Sequence, residues 1–350
     1  MGLLHRLAGT GLVSLITAYV VGRVGRRLPL EPDAEARGRY ASTPGEMTRL
    51  GWKDILSRTV KEALDDRLLS EAAGVAFFAL MALVPALSVL VSVFGLVANP
   101  ADITTRIEPF LDMLPNGARE LVVEQAVRLA AQSSSTLSIK LLASLAIAIW
   151  SANAAIKAIF DALNIIYEEE EKRSFLKLNA ISLFVTFSAA VVMVVILFLI
   201  AVAPALIALM PFSAALDATL HALRWPAFLL IAILAIAVLY WIGPSRHPAR
   251  FVWVLPGALL AALLWAGVSA GFSWYVARFG TYEATYGSLS AVIIFMTWLW
   301  TSASVILLGA EFNSELEHQT ARDTTLGQPK PIGLRGAAMA DRIGEAVARD

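Results

Sequence analysis

Cysteine is absent from all 350 residues, which excludes disulfides, zinc–thiolate centres and thiol nucleophiles. Histidine is nearly so: the four are His5, His221, His247 and His318, and no two stand at the His-x-His or His-x-x-x-His spacing that turns two rings toward one metal. Charge is scarce too. Lys, Arg, Asp and Glu make up 16% of the chain and balance to a formal net charge of +0, with pI ≈ 6.9, so a polyanion-binding surface is not expected and neither is a nucleic-acid partner. Acids gather only at Glu168–Glu171, where Lys172 and Arg173 follow at once, the pattern of a solvated charge run rather than a metal site. A Gly-rich nucleotide loop is missing as well, so direct coupling to ATP would need a partner. No cofactor and no metal are expected, and without a nucleophile, base or metal set the chain does not read as an enzyme.

What the sequence has in abundance is apolar length. Hydrophobic residues reach 58% and mean hydropathy is +0.68, beyond what a water-soluble domain of this size carries. A bilayer core of roughly 30 Å takes about 20 apolar helical residues, and that ruler picks out 75–98, 139–160, 180–210, 225–243, 251–276 and 286–310. The fold class is therefore all-α: a polytopic membrane helix bundle of about six transmembrane helices. Buried core helices of a soluble protein would need far more polar sequence to cover them than this chain supplies.

The organisation divides into three. Residues 1–51 form an N-terminal extension, 52–317 the membrane domain and 318–350 a polar cytoplasmic tail. Within the extension, 7–21 is an apolar stretch too short for a firm span, and the Arg23, Arg26 and Arg27 that follow stand where a cleavage site would be; it reads as an interfacial or short membrane-anchored helix. Residues 29–51 read as a flexible linker. From Trp52 to Leu69 the chain turns amphipathic, with Ile55, Leu56, Val60, Ala63, Leu64 and Leu68 on one side; this helix either lies along the membrane surface or packs on the polar end of the bundle. Between the first two spans, 99–138 reads as a small external helical cap, for packing or for gating a cavity. The tail past Glu317 is expected to be disordered.

Orientation follows from the positive residues near the span ends. One side carries Lys53, Arg58, Lys61, Arg67, Lys172, Arg173, Lys177, Arg246, Arg250, Arg322 and Lys330, the other only Arg106, Arg119, Arg128, Arg224 and Arg278. The richer side, with the C-terminus, is expected in the cytoplasm. Whether 7–21 crosses decides on which side Met1 lies.

Several stretches carry a resemblance. Ala72-Ala73-Gly74-Val75-Ala76-Phe77-Phe78-Ala79-Leu80 leading to Val84-Pro85, Trp150-Ser151-Ala152-Asn153 with Ile165-Ile166-Tyr167, Pro256-Gly257-Ala258, and Tyr286-Gly287-Ser288-Leu289 with Gly309-Ala310-Glu311-Phe312-Asn313 together resemble the YihY/virulence factor BrkB family of bacterial inner-membrane proteins. The likeness runs from about Trp52 to Glu317 and is silent on Met1 to Gly51. It implies a six-helix protein of the bacterial cytoplasmic membrane whose function is unsettled: members were once labelled a tRNA-processing ribonuclease, and others are linked to serum resistance or envelope lipid traffic. The ribonuclease label fits this sequence poorly, because phosphodiester hydrolysis needs a gathered acid–base pair or metal cluster.

Polar groups inside the spans remain. A charge at the bilayer centre costs roughly 2.5–3.5 kcal/mol on insertion scales, so each deserves a reason. In the second span Asn153, Lys157, Asp161 and Asn164 share one face, either as a polar lining with a Lys157–Asp161 pair or with Lys157 snorkelling to the headgroups. In the sixth, Ser290, Thr297, Thr301, Ser304 and Glu311 share a face, the hydroxyls serving a lining or plain packing, and Glu311 standing as an end residue or a partner of Lys157. Pro85, Pro204 and Pro256 permit kinks, while Gly267 and Gly271, below Gly257 and Ala261, give the fifth span a small face for a homodimer seam or an intramolecular contact. Trp253, Trp274, Tyr275, Trp298 and Trp300 read as interfacial anchors. A transporter or lipid translocator acting in envelope biogenesis fits the one-sided stripes and the prolines; a structural or scaffold protein fits the weakness of each single signal. Membrane lipids are the expected partners, with a second copy or an envelope protein beside them.

Overall fold

The computed structural model describes residues 33–97, 119, 122–124, 127, 137–201, 214–279 and 289–347. Helices dominate. A 3-10 turn at Pro44–Glu46 precedes α1 (Arg49–Asp65), α2 (Leu68–Val97), α3 (Leu137–Ile166), α4 (Phe175–Ala201), α5 (Ala214–Ile242), α6 (Phe251–Phe279) and α7 (Ser290–Gln319). Among the described residues there is no strand, only an isolated bridge between Ala249 and Thr325. The expected helix at 7–21, most of the external cap at 99–138, and Pro204 lie outside the described residues.

Among the described residues four helices are long and apolar enough to cross a membrane, by length and composition: Ile149–Ile166, Phe175–Val192, Phe251–Val276 and Ser290–Gln319. Leu68–Leu83 and Pro226–Ile242 are shorter apolar helical stretches. The sixth expected span was placed at 286–310, yet α7 runs on to Gln319 and carries Glu311, Asn313, Ser314, Glu315 and Glu317 as buried helical residues. Polarity at these positions suggested an end; partners on neighbouring segments for Asn313, Ser314, Glu315 and Glu317 let the helix continue.

Helix α7 is the hub, packing against α6, α2, α1 and α3, while α5 lies on α6 and α4 touches α3. The main core joins Leu68 and Ala72 of α2, Leu163 and Ile166 of α3, Ala237 and Tyr240 of α5, Ala258 and Ala261 of α6, and Leu307 and Ala310 of α7. At its centre α6 and α7 come close enough that a Cβ on Gly257 would strike the Gly309 carbonyl and Asn313, and one on Gly309 would strike Gly257, Ala261 and Tyr240. Gly267 and Gly271 meet nothing within 4 Å among the described residues. Helix α4 buries little and turns Phe184 and Phe187 outward, as a helix does when lipid is its solvent.

At the end of the bundle where α7 stops, residues 33–48 and 320–347 are ordered where flexibility was expected. Gly38, with a left-handed φ of 69°, turns the segment before α1 back on itself. Arg39 then accepts from Ala321 at its carbonyl and donates to Gly344 O (2.6 Å) and to Gln319. Arg335, buried, donates to the carbonyls of Ala321, Arg322, Lys330 and Ala340. A polar sequence has here folded by charge-assisted hydrogen bonds around a few apolar residues, Ala41 and Met47 packing with Ile55, Trp253, Phe312 and Leu316 and Met339 joining the main core, too few for hydropathy alone to read as order.

Helix α1 forms with Thr48 as N-cap, its hydroxyl accepting from Gly51 N at 3.1 Å. Its apolar residues do not share one environment. Ile55 is buried beside Asp54, Arg58 and Thr59, whereas Leu56, Val60 and Leu64 face outward. Ion pairs of Asp54 with Arg37 and of Arg58 with Glu315 of α7, together with hydrogen bonds to the tail backbone at Glu345 and Val347, hold the polar residues inside. Arg67, at φ 52°, turns the chain from α1 into α2.

Candidate functional site

The polar stripe of α3 does not form one lining. Lys157 Nζ donates to Asn179 Oδ1 of α4 at 2.5 Å and lies 6.0 Å from the Phe175 ring centroid, so it partners neither Asp161 nor Glu311. Asp161 is exposed. Asn164 is buried as a brace, accepting from Ser245 N at 2.7 Å and donating to Glu171 Oε2 at 3.1 Å. Asn153 is buried with Oδ1 unpartnered.

On α7 the hydroxyls turn back on their own helix. Thr297 donates to Ile293 O (2.8 Å), Thr301 to Thr297 O (2.7 Å) and Ser304 to Trp300 O (2.8 Å), the self-satisfied arrangement common in membrane helices. Ser290 is buried near the start of α7. Cross-helix contacts come from residues outside the expected set: Ser302 accepts from Trp265 Nε1 at 3.2 Å, and Ser269 from Trp298 Nε1 at 3.1 Å. Trp253 and Trp298 are buried, unlike interfacial anchors, while Trp274 and Tyr275 are exposed. Pro85 lies within α2 and Pro256 within α6. One residue past the latter, Asn313 Oδ1 accepts from Gly257 N at 2.7 Å and its Nδ2 donates to Val254 O at 2.7 Å; a neighbouring helix thus satisfies backbone groups beside the proline.

The residues that do converge are at the far end of α7. Arg246, in the α5–α6 connection, grips Glu317 with both guanidinium nitrogens, at 3.0 and 2.7 Å, and stacks 4.0 Å from the Tyr167 ring centroid. Arg58 of α1 pairs with Glu315 and donates to Gln319 Oε1 and Glu345 O. Arg37 makes a bidentate pair with Asp54 at 2.7 and 2.9 Å. All three are charge-assisted pairs in a poorly hydrated place, where partnering is needed to offset desolvation. Sequence reasoning missed them because their members are far apart in the chain; the one local signal was Asp54 and Arg58, four residues apart on the buried face of α1.

Glu311 differs from these acids. It is 1% exposed, and its Oε2 is buried without a hydrogen-bond partner. The charges that act on it most, those of Asp66, Glu315, Glu62 and Glu168, are all acidic. Tyr167 is completely buried within its electrostatic reach; the Tyr167 hydroxyl lies beside the Asn313 amide but not in hydrogen-bond geometry, Asn313 being committed to α6. Burial pushes the Tyr167 phenol up, so it keeps its proton. Nearby, burial together with Glu62 and Glu168 lifts the Asp66 carboxyl to about 6, whereas Glu171, although burial opposes it, is held down to about 2 by hydrogen bonds from Arg173 and Asn164. Among the described residues no three His, Asp or Glu side chains gather as a metal site.

The sequence profile described as Virulence factor BrkB matches residues 59–332. The chain is 32% identical to the putative ribonuclease-like protein YfkH of Bacillus subtilis over 253 residues, covering 71% of this chain and 89% of that protein. A UPF0761 membrane protein of Pseudoalteromonas translucida is 28% identical over 288 residues, 78% of this chain and 88% of the relative. A UPF0761 membrane protein of Tolumonas auensis is 40% identical over 99 residues, a match spanning 28% of this chain and 32% of that one. No solved structure matches significantly. With most of its length matched and apolar helices throughout that length, the chain is a membrane-embedded member of the virulence factor BrkB family.

Proposed function

We propose that this protein is a transporter or lipid translocator of the bacterial cytoplasmic membrane, acting in envelope biogenesis, and not an enzyme. The reading takes six spans, α2 to α7, with the α1 end and the C-terminal tail in the cytoplasm. The positive residues clustered at that end support the orientation.

The observation that carries the reading is Glu311. An acid inside a membrane bundle with no cationic partner is costly and marks a functional position by default, and here the other buried acids of α7 have partners while this one does not. The scattered histidines weigh against hydrolytic chemistry. The competing reading, a scaffold, is favoured by the self-bonded hydroxyls of α7 and by the closely tied termini.

A lipid-flip assay with protein reconstituted in vesicles separates the two. Translocation by wild type, reduced at least tenfold in folded Glu311→Gln, is the expected result. Folded wild type that moves no labelled lipid would give the scaffold reading the advantage.

A further inference from the structure

We propose that Glu311 is a proton-binding site, loaded and unloaded during the cycle of the translocator read above, on which this inference rests. Oε2 gains an O–H bond on loading and loses it on release; no other bond changes, and the proton is exchanged with the aqueous side.

The geometry supports a proton above other cations. A carboxylate in this position is a buried charge without a counterion, whereas a carboxylic acid is a neutral group able to donate one hydrogen bond. A metal cation takes several oxygen ligands, and among the described residues no such acid set gathers. Helix α1 and its junction to α2 bring Glu62 and Asp66, the α3–α4 connection brings Glu168 and Tyr167, and α7 itself brings Glu315. Helices α2 and α6 bring the apolar Ala72 and Ala261 to the same core. The cations at this end are already engaged, Arg58 with Glu315 and Arg246 with Glu317. Tyr167, buried and with no formed hydrogen bond at its hydroxyl, is a neutral polar group within electrostatic reach of the acid, and the two are not hydrogen-bonded to each other.

Infrared difference spectroscopy on the lipid-reconstituted full chain tests the assignment without relying on transport. Wild type at neutral pH should show the carbonyl band of a protonated carboxylic acid that is missing in Glu311→Gln and retained in Glu311→Asp. Tyr167→Phe should keep the band but shift the pH at which it disappears, so a structural failure of one variant does not decide the matter. In vesicles, an imposed pH gradient should change wild-type flipping several-fold and leave Glu311→Gln unaffected. If folded wild type shows no band that depends on Glu311, the proposal fails; if sodium instead raises thermal stability only when Glu311 is present, the site belongs to a metal cation. A Glu311 band without flipping under any gradient overturns the translocator reading and keeps the proton site. Flipping without the band does the reverse.

Discussion

Asp66 shows how one side chain at the membrane boundary records the acidity of its surroundings. It caps the C-terminus of α1, partly buried, with Glu62 one turn behind it and Glu168 arriving from the α3–α4 connection. Burial first and those acids second raise its carboxyl from 3.8 to about 6. A raised carboxyl pKa means that the folded chain binds more protons than the unfolded one between those two values, so its contribution is greatest below 3.8 and is lost as pH rises through about 6. Asp66→Asn should therefore gain stability over wild type at pH 7 and lose that advantage at pH 4. Thermal unfolding in detergent at the two pH values reads it directly. Equal differences at both pH values would mean that the substitution acts through packing and not through charge.

At the scale of elements, the close crossing of α6 and α7 sets how the bundle holds together. Gly257→Ala would drive a methyl group into the Gly309 carbonyl and Asn313, and Gly309→Ala would drive one into the Gly257 carbonyl, Ala261 and Tyr240, each costing about 1–3 kcal/mol through displaced helices. Gly267→Ala, with open space around it, should be neutral or should gain up to about 1 kcal/mol from helix propensity. Chemical unfolding of the three variants would rank them; a cost at Gly267 comparable to that at Gly257 would indicate a second copy seated on that face. The membrane helices were legible because twenty apolar residues in a row have few other uses, as in 251–276 against the observed Phe251–Phe279. Their polar residues were less so. Period sets Thr297, Thr301 and Ser304 on one face, but it cannot tell a hydroxyl lining a path from one bonded to its own helix. Likewise Lys157 and Glu311 looked matched by charge and depth, yet Asn179 of α4 takes the lysine. Pairing between helices depends on rotation and neighbour order, which periodicity does not contain.

For the whole molecule, residues 33–48 and 320–347 read as loose segments in the sequence but act as a polar clasp over the end of the bundle. Arg58 reaches Glu345 O at 2.8 Å, Arg39 reaches Gly344 O at 2.6 Å, and Val347 N donates to Asp54 at 3.1 Å, so the segment before α1, α1 itself and the tail share one set of charges. The tail also crosses to the other side of the end face, where Ala338 N donates to Glu169 at 2.7 Å, Arg342 pairs with Glu168, and His247 N donates to Gly336 O at 2.9 Å. Removing everything after Gln319 would strip partners from Arg39, Arg58, Asp54 and Glu169 together. Hydrogen bonds to charged groups contribute about 1.5–3 kcal/mol each, and some of the freed groups would be re-solvated. A net loss of about 3 kcal/mol is therefore expected, a fall in unfolding midpoint of about 4 °C for a chain of this size. The intact protein should correspondingly resist trypsin at Arg335, whose guanidinium is enclosed by carbonyls. Rapid cleavage there, with no change in midpoint on truncation, would show that the clasp does not hold in solution; resistance with a lowered midpoint would place the tail within the folded unit that surrounds Glu311.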